Sequence, residues 1–112
     1  MRRFCAFAAI ALSLPAAAQP APRWTFCVAA AQGGTDVWIS DVFVVARDRE
    51  KLEEAFKRAV ERQGAAGANA QCPSPREDKT VAVNAQIDAE AFNRKLGATV
   101  HAMPGSDFPP RR

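Results

Sequence analysis

The sequence has few of the residues on which common catalytic and metal sites depend. Its single histidine, His101, cannot complete a closed zinc site without further histidine or cysteine ligands. No C-x-x-C pair is present to form a thiol redox centre, and no G-x-S-x-G step marks a hydrolase nucleophile. The glycine pairs match neither the dinucleotide-binding nor the P-loop pattern. We therefore expect no catalytic residues, no metal and no cofactor.

Long apolar runs are also missing, except at the N-terminus. There, residues 1–3 form a short positive region with two arginines, residues 4–14 are an apolar run without a charge, and residues 15–18 read Pro-Ala-Ala-Ala. This order is that of a secretory signal peptide, and the apolar run is well short of the roughly 20 residues that span a bilayer. We expect cleavage after Ala18, export to the periplasm or beyond, and no transmembrane segment in the mature chain.

An excess of one charge is lacking once this leader is removed. The full chain has 15 Lys and Arg against 12 Asp and Glu, a net charge of +3. Loss of Arg2 and Arg3 leaves 13 against 12, a net charge of +1. A balanced chain with mixed charges gives no reason to expect a nucleic acid as a partner.

Cysteine is scarce as well, and the leader contains one of the three. Cleavage leaves Cys27 and Cys72, which are expected to pair in an oxidising compartment. In the chain-entropy model, closing a loop of this length stabilises the fold by about 4 kcal/mol. A catalytic thiol is the competing interpretation, but neither cysteine has a neighbouring base in the sequence.

What is present is a chain rich in strand-forming residues. The longest β-branched and aromatic run, residues 37–46, is apolar on both faces and predicts a central strand that is covered on both sides. Residues 24–30 alternate like a strand, and the glycine-containing turn at 32–36 would join the two as a hairpin. Residues 69–72 predict a short strand, and residues 98–103 predict the last one.

A helix is predicted over residues 49–63. Asp48 is the expected N-cap, and Leu52, Phe56 and Val60 recur on one helical face. Gly64 is expected to end the helix.

A second helix is predicted over residues 75–96, because Ser74, Pro75 and Glu77 match a capping box and Gly97 is a suitable terminator. Its core-facing stripe would contain Val81, Ala82, Ala85, Ala89, Phe92 and Leu96. The alternative is a strand over residues 80–87 followed by a short helix capped by Asp88.

These elements follow one another in the order β-β-α-β-α-β and predict an α+β fold. The expected architecture is a small two-layer sandwich with both helices on one face of a sheet of three to four strands. The folded domain would cover residues 24–103, between an extended leader at 19–23 and a flexible, proline-rich tail at 104–112.

Four residues are weak candidates for contact with a ligand or partner: Trp38, Ser40, Asp41 and His101. Ser40 and Asp41 form a polar step inside an apolar strand, where a bulge could form. They point to opposite faces of a strand and therefore cannot act together as a dyad. His101 is expected at the rim of the sheet and Trp38 in its core.

The signal peptide, Ser40 to Phe43 on a strand, Cys72-Pro73, and Phe92 to Gly97 before a final strand together resemble small secreted and periplasmic bacterial proteins. This resemblance implies bacterial export and no known catalytic residues. The functional hypothesis is a non-enzymatic binding module of the cell envelope that contacts another envelope protein or itself. The alternatives are a small envelope enzyme that uses Asp41 or His101, and a small-ligand carrier.

Overall fold

The structure, a computed structural model, describes residues 21–104 and 107–108. The predicted signal peptide lies outside the described residues. The described part contains these elements in chain order: β1 (Trp24–Thr25), β2 (Val28–Ala30), β3 (Asp36–Ile39), β4 (Phe43–Val44), α1 (Arg49–Arg62), β5 (Asn69–Gln71), α2 (Lys79–Lys95) and β6 (Thr99–Ala102). None of the helices in this part of the chain is long and apolar enough to cross a membrane.

The strands form one four-stranded sheet and one small two-stranded sheet. The larger sheet has the order β5-β2-β3-β6, with β2 antiparallel to both of its neighbours and β3 parallel to β6. The smaller sheet pairs β1 with β4 in antiparallel fashion. Two helices pack against the mixed sheet, which confirms the predicted α+β class.

The predicted central strand at 37–46 is interrupted by a bulge. Thr25 pairs with Phe43 and Val28 pairs with Ile39, so two residues on one strand oppose three on the other. The predicted first strand is interrupted opposite this point, at residues 26–27. An extra residue bends an antiparallel pair. One hairpin therefore contributes β2 and β3 to the large sheet and β1 and β4 to the small one.

The two helices cover opposite faces of the four-stranded sheet. Trp38 packs in a cluster with Leu52 and Phe56 of α1, whereas its neighbour Ile39 packs in a second cluster with Ala85 of α2. Adjacent strand residues point to opposite faces. This arrangement differs from the predicted placement of both helices on one face. It agrees with the expectation that the central strand is covered on both sides.

Helix α1 forms where it was predicted. Asp48 is the N-cap, and its Oδ1 accepts a hydrogen bond of 2.9 Å from the Lys51 amide. Leu52, Phe56 and Val60 are buried, and Gly64 follows the helix with a φ of 104°.

Helix α2 begins four residues later than predicted. Its N-cap is Asp78, whose Oδ1 accepts a hydrogen bond of 2.8 Å from the Thr80 amide, and the predicted cap Ser74 lies outside the helix. The backbone of Arg76 instead exchanges two hydrogen bonds with Trp24, at 2.7 and 2.8 Å. This tertiary pairing holds the capping-box segment in an extended conformation. The alternative strand over residues 80–87 is wrong, because those residues are helical.

Only the alanines of the predicted core-facing stripe of α2 pack on the sheet. Ala82 is buried, and Ala85 and Ala89 are partly buried against the second cluster. The larger apolar side chains of the stripe, Val81, Phe92 and Leu96, are exposed.

Phe108 belongs to the segment that was predicted to be a flexible tail, but its side chain is buried in the α1 cluster. Its ring makes edge contacts with Phe43, at a centroid distance of 5.3 Å, and with Phe56, at 4.9 Å. The side-chain Nε2 of Gln63 also donates a hydrogen bond of 2.9 Å to Asp107 Oδ2. The packed domain therefore extends beyond residue 103.

Candidate functional site

Two of the four candidate residues, Trp38 and His101, lie side by side on neighbouring strands. Their rings stack at a centroid distance of 4.8 Å, and His101 Nε2 is 2.9 Å from a carboxylate oxygen of Asp36. Trp38 is buried, whereas the side chains of His101 and Asp36 are about half exposed. Among the described residues, no three His, Cys, Asp or Glu side chains gather to hold a metal ion. The His101 ring, which is hydrogen-bonded to Asp36, therefore covers Trp38 at the edge of the sheet.

The other two candidates, Ser40 and Asp41, form the bulge. The Ser40 hydroxyl accepts a hydrogen bond of 2.9 Å from the Cys27 amide and donates one of 3.0 Å to the carbonyl of Asp41. Ser40 is buried, where an unpaired amide is costly. Its hydroxyl takes the place of the strand carbonyl that would otherwise accept the hydrogen bond of the Cys27 amide. The Asp41 side chain is exposed, and none of the hydrogen bonds found in the described residues involves its carboxylate.

The predicted disulfide is confirmed, since Cys27 and Cys72 are bonded and buried. Both backbone hydrogen-bonding groups of Cys72 are satisfied by side chains of α1. Arg49 Nε donates to the Cys72 carbonyl at 2.9 Å, and Glu53 accepts from the Cys72 amide at 2.9 Å. The first two turns of α1 thus hold the disulfide and the segment that follows it.

A cleft of about 270 Å³ lies where this segment meets the start of α1 and the end of the bent hairpin. We call it the arginine cleft, and its lining residues are Arg23, Thr25, Val45, Arg47, Asp48, Arg49, Leu52, Cys72, Pro73 and Pro75. Thr25, Leu52 and Cys72 are buried and form part of its floor, whereas the three arginines are exposed at its rim. The fold therefore gathers three arginine residues around a mainly apolar depression.

The charge of this cleft is poorly compensated by the chain itself. All 12 Asp and Glu residues lie in the described part, yet neither Arg23 nor Arg47 forms an ion pair with any of them. Arg49 lies 3.7 Å from Glu53, in an exposed pair that contributes little. The lone carboxylate in the lining, that of Asp48, caps α1. The rim is consequently positive in a chain that is nearly neutral without its leader.

The lining of the cleft has features suited to contact with an anionic group. Its hydroxyl group, that of Thr25, donates a hydrogen bond of 2.7 Å to the Pro73 carbonyl and is not poised as a nucleophile. Arginine stays protonated at ordinary pH and therefore does not serve as a general base. A guanidinium can donate two parallel hydrogen bonds to one carboxylate or phosphate group. An anionic group attached to a small apolar body matches this lining.

Two broader depressions, of about 500 and 580 Å³, run along α1 and β5. Their linings mix acids and bases, including Glu50, Glu54 and Lys57 in the first. The Glu61 carboxylate accepts a hydrogen bond of 2.8 Å from Lys57 and raises the pKa of that amine above its ordinary value. Because their charges are mixed and already partly paired, these surfaces select no single class of ligand.

Sequence reasoning did not identify the arginine cleft. In the sequence, Arg23 belongs to the predicted extended leader, Arg47 follows the predicted central strand, and Arg49 is the first residue of the predicted helix. The hydrogen bond from the Val45 amide to the Arg23 carbonyl, at 2.8 Å, helps to bring these segments together.

No protein-family model matches the chain, and neither a curated protein nor a solved structure is similar enough to count as a match.

Proposed function

We propose that the protein is an exported, non-enzymatic binding module of the bacterial cell envelope, and that the arginine cleft holds an acidic side chain of a partner protein. The observation that carries this proposal is the convergence of Arg23, Arg47 and Arg49 on one cleft with an apolar floor. Export is supported by the leader at residues 1–18, by the disulfide and by the resemblance to small secreted bacterial proteins.

The size and lining of the cleft favour one side chain of a larger partner. Pockets that enclose a drug-sized ligand measure roughly 300–1,000 Å³, and this cleft lies just below that range. Leu52 and Cys72 offer apolar contact to the stem of a glutamate or aspartate, while the guanidinium groups reach its carboxylate. The small-ligand carrier remains an alternative, with a small organic anion as its cargo.

The enzyme alternative has less support. His101 has Asp36 as its hydrogen-bond partner, but both are half exposed, and the lining of the arginine cleft includes neither His101 nor Asp41. Replacing His101 or Asp41 by alanine is therefore expected to leave cleft binding unchanged.

A peptide titration followed by NMR tests the cleft directly. The probe is a short peptide of alternating leucine and glutamate with blocked ends, compared with the same peptide carrying glutamine. The glutamate peptide is expected to shift the amide signals of Thr25, Val45 and Leu52, and 0.5 M salt is expected to weaken this binding because the Debye length falls to a few ångströms.

Two double variants each remove two positive charges, one inside the cleft and the other outside it. Arg23→Gln with Arg47→Gln is expected to weaken peptide binding about tenfold or more, since a charged hydrogen bond is lost at each position. Arg58→Gln with Arg62→Gln, on exposed positions of α1 outside the cleft, is expected to leave binding unchanged. Equal binding of the glutamine peptide, or equal loss in both double variants, would contradict the proposal.

The partner itself can be sought in the envelope with a photo-cross-linking residue at Val45, inside the cleft, and at Ile87, remote from it on α2. Cross-links that require the photo-reactive residue at Val45 and disappear in the Arg23→Gln, Arg47→Gln variant would identify the cleft partner.

The intact mass of the exported chain tests processing, with Gln19 as the expected first residue and no free thiol.

A further inference from the structure

One flank of helix α2 carries large apolar side chains that the domain does not cover. Val81, Phe92 and Leu96 are 39, 60 and 69 % exposed, and we call these three residues the α2 flank. At 100° per residue, Val81 lies about 20° and Leu96 about 40° from Phe92 around the helix, so the three form one continuous stripe. The α2 flank adjoins the alanines that pack on the sheet.

An acidic and a basic residue border this stripe, one before and one after Phe92 in the helix. Asp88 precedes Phe92 by four residues and Lys95 follows it by three, so they lie about 40° and 60° from it on the solvent side. Neither residue forms an ion pair within the described part of the chain, which contains every Asp and Glu. A carboxylate and an ammonium group therefore stand on either side of an exposed phenylalanine, along one helix.

We propose that the α2 flank is a dimer interface in which α2 of one copy packs antiparallel to α2 of a second copy. A two-fold axis beside Phe92 brings the two Phe92 rings together and places each Asp88 opposite the partner's Lys95. Such an interface is isologous, because the same patch serves on both copies. A second copy fits this surface better than an unrelated apolar partner, because a single two-fold rotation brings together both pairs of Asp88 and Lys95. This inference is independent of the arginine cleft.

The opposite side of α2 supplies a control. Ile87 is 51 % exposed, similar to Phe92, but it lies about 140° away around the helix and contacts no partner in the proposed dimer. Phe92→Ser and Ile87→Ser therefore remove comparable exposed apolar side chains. Only the first removes one from the proposed interface.

Analytical ultracentrifugation of the purified protein with its disulfide intact measures the dimer. Phe92→Ser is expected to weaken dimerisation about tenfold or more, as for a central aromatic anchor, and Ile87→Ser is expected to leave it unchanged. Lys95→Asp places two acids opposite each other and is expected to weaken the dimer by about tenfold. The double variant Asp88→Lys, Lys95→Asp exchanges the charges and is expected to restore it.

Circular dichroism and thermal unfolding of each variant establish that the fold is retained. A protein that stays monomeric up to millimolar concentration would overturn the proposal and would leave the flank to a different partner. Equal effects of Phe92→Ser and Ile87→Ser would also overturn it. A charge-exchanged double variant no better than Lys95→Asp would reject the antiparallel register.

Discussion

Ser40 makes two hydrogen bonds at the point where the hairpin bends, and one of them satisfies the amide of the disulfide residue Cys27. Ser40→Ala leaves this buried amide without an acceptor. The free energy of unfolding is expected to fall by about 1–3 kcal/mol, which urea denaturation can measure.

Asp41→Ala provides the control, because its side chain is exposed in the same bulge, and a change within about 0.5 kcal/mol is expected. Equal losses in the two variants would show that the Ser40 hydroxyl has no special structural role.

Single residues also show where sequence reasoning reached its limit. Apolar residues lie on both faces along residues 37–46, and the Ser40-Asp41 step is the one interruption of this pattern. The sequence therefore does not determine whether the strand breaks at that step. Of the three cleft arginines, Arg23 is distant in sequence from the other two, and Arg47 and Arg49 lie at the start of α1. Their convergence depends on a hairpin bend that local patterns do not encode.

Helix α2 shows how a tertiary contact can override a local capping signal. Asp78 caps the helix, and the predicted cap Ser74 does not. Asp78→Ala is expected to lower the free energy of unfolding by about 1 kcal/mol, while Ser74→Ala is expected to change it little. Thermal or urea denaturation of both variants measures the difference, and the reverse order would place the helix start at the capping box.

Helix α1, in contrast, was predicted nearly to the residue. Asp48, the buried stripe and Gly64 all agree with one another and with the tertiary structure. The residues before α2 carry equally good local signals, but Arg76 pairs with Trp24 across the domain. Local patterns therefore predicted the elements well, whereas their boundaries and faces depended on contacts between distant segments.

At the scale of the whole molecule, the disulfide connects the bent hairpin to the segment beside the arginine cleft. It closes a sequence separation of 45 residues, for which the chain-entropy model gives about 4 kcal/mol of stabilisation. The double variant Cys27→Ala, Cys72→Ala is expected to lose a stability of this order in urea denaturation.

Reduction of the wild-type protein is expected to produce a similar loss, and the same reductant should not affect the double variant. A double variant as stable as the oxidised wild type would show that packing alone holds the two segments together.

The position of this disulfide also allows it to form early in synthesis. Strands β2, β3 and β5, helix α1 and both cysteines precede residue 73, so every residue needed to close the bond is synthesised before α2 and β6. Strand β6, which pairs in parallel with the edge of β3, and Phe108, which packs in the α1 cluster, both come later in the chain. A chain truncated after residue 73 therefore contains both bonded cysteines but lacks one helix and one edge strand.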